Sequence, residues 1–185
     1  MDIPPSYSSE AAPGTSKNTV DDSGTLPTYT FPTKFVIGGV PTDSLLITAP
    51  EIKGHLALLN AFAELKKNVH AWPDSIPNMP PDEEKRWGWF VNMAVERFDR
   101  WVRALKPTDD SIAIEDVLPP IDVLMVWHSY MLNPRWYAED GQRLGPILQP
   151  LHSIGGKLAA SLHHLPEILS TPPSARRVEL FKERV

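Results

Sequence analysis

The chain has 185 residues, 42% hydrophobic and 22% charged, with a formal net charge of −5 and no cysteine. That length suits one domain with tails and a real core. The acidic balance argues against a general nucleic-acid binder, and the missing cysteines exclude disulfides, thiolate zinc sites and cysteine nucleophiles together.

Residues 1–25 are rich in Ser, Pro, Thr, Gly and Asp. So little apolar surface does not offset the entropy of ordering, and a disordered tail is expected. Inside it, Pro4-Pro5-Ser6-Tyr7 matches the PPxY ligand of WW domains. A pre-extended polyproline segment docks on an aromatic groove and the tyrosine fills the neighbouring pocket, which makes Pro4, Pro5 and Tyr7 the expected contacts with a WW-domain partner. Residues 26–48 change texture to short β-prone runs, Phe35-Val36-Ile37, Val40 and Leu45-Leu46-Ile47, between Gly and Pro breaks. They predict a hairpin or a short extended strap. Gly38-Gly39 reads as a turn, because the lysine and helix of a phosphate loop do not follow it.

A first helix is expected from about Pro50 to Ala71. Ile52, Leu56, Leu59 and Ala63 share one face, Leu58, Phe62, Leu65 and Val69 widen it, and Lys53, Glu64 and Lys67 are left for solvent. His55 falls beside the apolar face. Residues 73–81 contain four prolines and predict a loop. Asp82-Glu83-Glu84 opens a second helix with acids where the helix dipole favours them. Its stripe, including Trp87, Phe90, Ala94, Val95, Phe98, Trp101 and Val102, has the spacing of packing rather than of a ligand box.

Residues 119–133 predict a central helix. Pro119-Pro120 suits a helix start, and Asn133-Pro134 ends the run while capping the next helix. Between them only Asp122, Ser129 and Asn133 form a narrow polar stripe, and a helix apolar nearly all round belongs in the middle of a bundle. His128 lies among Leu124, Met125, Met131 and Leu132, which predicts a buried imidazole that needs a hydrogen-bond partner or a metal. A fourth helix follows from Asn133, broken at Gly145-Pro146. Residues 151–185 read as a weakly helical extension interrupted by Gly155-Gly156 and Pro166.

The run from Leu118 through Trp127-His128, followed by Leu132-Asn133-Pro134, Tyr137 and Asp140, resembles the glycine-rich domain-containing protein-like family of plants and fungi. The likeness extends more weakly from about Leu26 to Gln149, and the variant resembles a shortened fungal member. The resemblance implies a helical domain and no established biochemical activity. Plant members often carry a second histidine two residues after the first. Here that position is Tyr130, which weakens a metal site built on such a pair.

The sequence therefore reads as all-α: an irregular helical bundle (26–150) around a buried central helix (119–133), with a disordered tail (1–25), a strap (26–48) and a C-terminal extension (151–185). No apolar run approaches the roughly 20 residues that span a bilayer, and the N-terminus lacks the regions of a signal peptide. A cytoplasmic or nuclear protein, without membrane or nucleic-acid contact, is expected. No histidine has Asp or Glu two residues later, and zinc-protease, nucleophile-elbow and phosphate-loop motifs are absent. The functional expectation is a non-catalytic protein-interaction domain that uses no cofactor. The alternative is an enzyme, small-ligand or metal site around His128, with His55, Tyr130 and Asp140 as neighbours.

Overall fold

The computed structural model describes residues 34–42, 47–106, 112–183 and 185, and it divides into two units, Met1–Leu45 and Leu46–Val185. Within the first, strands β1 (Val36–Ile37) and β2 (Val40–Pro41) pair antiparallel, Val36 opposite Pro41 and Ile37 opposite Val40. The turn takes φ of +58° at Gly38 and +81° at Gly39, the two positive values that a tight hairpin of this length needs and that glycine adopts without strain. Pro4, Pro5 and Tyr7, with the rest of the expected tail, lie outside the described residues.

The second unit is all-α. Helix α1 (Ala49–His70) begins where the Thr48 backbone N–H and hydroxyl both donate to Glu51, at 2.6 and 2.8 Å. Those two bonds hold the Glu51 carboxyl below its ordinary pKa. Helix α2 (Glu83–Ala104) is capped by Asp82, which accepts from the Lys85 N–H at 3.0 Å. The proline-rich loop between them is tied down by Arg86. Its guanidinium is buried and donates to the carbonyls of His70, Trp72, Pro80 and Pro81 and to Asp74. Five donors in a fixed fork suit a cluster of carbonyls that a helix end and prolines leave unpaired.

A short helix α3 (Ile114–Val117) leads into α4 (Ile121–Met131), the expected central helix. Helix α4 packs on α2, on α1 and on α5 (Pro134–Arg143), whose cap Asn133 accepts from the Trp136 N–H at 3.3 Å. Trp127 meets Trp101 of α2 with ring centroids 5.7 Å apart, and both indoles are fully buried. Asp122 leaves the polar stripe assigned to it. It is buried and ion-paired with Arg97 of α2, because a carboxylate taken from water requires a cation and hydrogen bonds.

Residues 151–185 are more than an extension, because those up to Ile168 supply part of the core. Helix α6 (Gly145–Ala160) runs through Pro146, Pro150 and Gly155-Gly156 and buries Leu148, Leu151, Ile154 and Leu158. Pro146 sits in the first turn, where it disturbs nothing. A Cβ on Gly155 would stand 3.4 Å from the Trp127 ring, in ordinary contact, so this glycine lies on the packed face of an unbroken helix. A 3-10 turn (Leu162–His164) and α7 (Leu165–Ser170) then cover α1, with Leu165 and Ile168 buried. Helix α8 (Ala175–Lys182) is anchored by Arg177, which donates to the Leu118 carbonyl at 2.7 Å and the Pro119 carbonyl at 2.9 Å. Pro119-Pro120 offers acceptors and no N–H, so this corner needs an outside donor. Burial lowers the Arg177 pKa.

Helix α1 is rotated from the expected face. Leu58 and Val69 are buried, whereas Ile52, Leu56 and Leu59 are 48%, 59% and 42% exposed. Gly54 explains the rotation. A Cβ there would sit 1.8 Å from the Leu162 carbonyl oxygen, so the residue without a side chain lies where α1 touches the 3-10 turn.

Candidate functional site

Successive residues on a helix diverge by about 100°, so Trp127 and His128 face different neighbours. Trp127 points into the core. His128 points toward α1, where its Nε2 is 3.0 Å from Nε2 of His55. The expectation of a sealed core histidine is corrected: His128 is half-buried and His55 exposed. The cause is the end of α4, where Ser129 and Leu132 already emerge into solvent.

The centroids of the two imidazoles are 5.3 Å apart. That exceeds the 3.0 Å between the nitrogens by two ring radii, so both Nε2 atoms lie on the line joining the rings. This head-on arrangement is that of an N–H···N hydrogen bond, one ring donating and the other accepting. A chelate would turn both lone pairs to a common apex, about 2.0–2.1 Å from each nitrogen. Among the described residues no three His, Asp or Glu side chains form a group that holds a metal ion.

Burial, and then the His55 charge, lower the His128 pKa from its ordinary 6.5. Between the unfolded value and the lowered folded value the unfolded chain binds more protons, so stability falls as pH drops through 6.5 and levels off below the folded value. We expect the thermal midpoint to decline over that window in the wild type. In His128→Leu, which has no ring to charge, that part of the slope should vanish. An identical pH profile for the two proteins would show that the pair does not respond to protons.

Exposed apolar side chains flank the pair. Ile52 and Leu59 stand one turn before and after His55, and Leu132 stands one turn beyond His128 at 70% exposure. Tyr130 and Asp140 lie elsewhere. Two positions beyond His128, Tyr130 points away from it toward α5, and its hydroxyl donates to Asp140 Oδ2 at 2.8 Å. Burial first, then that bond, push the Tyr130 pKa up to about 12, so the phenol keeps its proton near neutral pH. The four expected site residues thus form two pairs on different sides of α4. Tyr137, quoted above only as part of the resemblance, meets Tyr130 edge-on, accepts from Trp127 Nε1 at 3.4 Å and lies against His152. The rings of His163 and His164 lie with centroids 3.9 Å apart, tilted by 42°, in the 3-10 turn.

No family model matches the chain, and neither a curated protein nor a solved structure is similar to it. Among the described residues no helix is long and apolar enough to cross a membrane.

Proposed function

We propose that the protein is a non-catalytic interaction module with two contact regions. One is the PPxY segment Pro4, Pro5 and Tyr7, which suits the groove of a WW domain. The other is the α1–α4 surface around His55 and His128, which suits an apolar face of a partner protein. One observation carries the reading: Ile52, Leu56 and Leu59 form a helical stripe that stays 42–59% exposed while the core packs without it. A small-ligand or metal site inside the bundle has less support, since the histidines meet head-on beside solvent and Tyr130–Asp140 sits apart.

The test is calorimetric titration of the full chain with a panel of isolated WW domains. Wild type should bind at least one of them weakly, and Tyr7→Ala should not, with its thermal midpoint unchanged. Leu56→Ser should fold with stability within about 0.5 kcal/mol of wild type, as expected for a surface position. Equal WW binding by wild type and Tyr7→Ala would remove the tail from the proposal. A large loss of stability in Leu56→Ser would mean the stripe is core.

A further inference from the structure

Well away from the histidine pair, a cleft of about 370 Å³ opens between α2, the start of α4 and α8. Its volume lies within the roughly 300–1,000 Å³ usual for small-molecule sites. Among the described residues three cations line it, Arg97, Arg177 and Lys182, and no Asp or Glu side chain does. The floor between them is Val178, Phe181 and Pro120. Asp122 is buried and paired with Arg97, so it cancels one charge without facing the cleft; the side chains there sum to 3 − 1 = +2, and the α-carboxylate of Val185, which also lines the cleft, reduces that to +1. On a chain of net charge −5 this is a local reversal of sign.

The three cations are held differently. Arg177 is fixed by the Leu118 and Pro119 carbonyls, which take its Nε and one terminal nitrogen. Arg97 lies over the Phe181 ring at 5.1 Å while bonded to Asp122. Lys182 is exposed on the last turn of α8. Two guanidinium groups are thus positioned in advance, which reduces the ordering cost of binding an anion. We propose that this cleft binds a small amphiphilic monoanion, an alkyl or aryl carboxylate whose head meets the cations and whose apolar body lies on Phe181 and Val178. An apolar cation would meet repulsion, and a compact anion such as acetate would leave the apolar floor unused.

Full-length protein is titrated calorimetrically with decanoate below its micellar range, and in parallel with acetate and with decyltrimethylammonium. Decanoate should saturate at one per chain, whereas the other two should show no saturable heat. Lys182→Glu reverses one exposed charge at the mouth without touching the core, and it should weaken decanoate about tenfold or more. Lys53→Glu, an exposed reversal on α1, should leave the affinity unchanged. The proposal fails if decanoate does not saturate, or if wild type and Lys182→Glu bind it alike. Equal weakening by Lys53→Glu would show diffuse net charge instead of a site. A wild-type dimer that Lys182→Glu dissociates would show that a second copy occupies the cleft.

Discussion

Trp127→Ala should cost about 3–5 kcal/mol, the range for removing a large aromatic side chain from a packed core. Trp127 is fully buried, tilted against Trp101 of α2 and close-packed on Gly155 of α6. These contacts join three helices, so no single one moves in to fill the space. The indole N–H also donates to the Tyr137 hydroxyl, and its loss leaves that half-buried oxygen without its donor. Domains of this size are stable by about 5–15 kcal/mol, so the variant should be marginal. Urea unfolding at pH 7 measures this as a lower midpoint at unchanged slope. Trp127→Phe should recover part of the loss. A cost below about 1 kcal/mol would mean that the contacts around this ring are replaceable.

Much of the helix inventory was legible because the signals were local. The α2 stripe is read from spacing alone, and Phe90, Ala94, Trp101 and Val102 are buried as that spacing requires, whereas Val95, assigned to the same stripe, is 48% exposed. Asp82 and Asn133 cap where a short acceptor side chain precedes a helix, and Gly38-Gly39 turns a hairpin. Long-range contacts were not legible in the same way. Periodicity says that His128 and His55 lie beside apolar residues, but not that residues 73 apart in sequence meet nitrogen to nitrogen. Arg86 and Asp122 look like surface charges until the carbonyls and the arginine that satisfy them are placed around them. Glycine caused the largest misreading. Gly155-Gly156 reads as a helix break from composition, yet a long helix passes through it, with Gly155 packed against the Trp127 ring.

Gly54→Ala should destabilise the protein, against the usual direction of that change. In an open helical position, alanine gains roughly 0.5–1 kcal/mol over glycine through lower backbone entropy cost. At Gly54 the new methyl would fall 1.8 Å from the Leu162 carbonyl oxygen and 2.7 Å from its carbon. Those are backbone atoms of the 3-10 turn, so no rotamer change relieves the contact, and α1 or the turn has to move. Inserting a methyl into such packing costs typically about 1–3 kcal/mol, sometimes more, which outweighs the propensity gain. Moving α1 would also disturb Leu58, one turn on and buried against the core. Gly88 in α2 is the internal control, since a Cβ there meets nothing within 4 Å. Gly88→Ala should stabilise by about 0.5–1 kcal/mol. The two substitutions are chemically identical and both lie within long helices, so opposite signs in urea unfolding isolate the packing term. If both variants were stabilised, α1 would not approach Leu162 as closely as the fold requires, and the rotation that exposes Ile52, Leu56 and Leu59 would lose its cause.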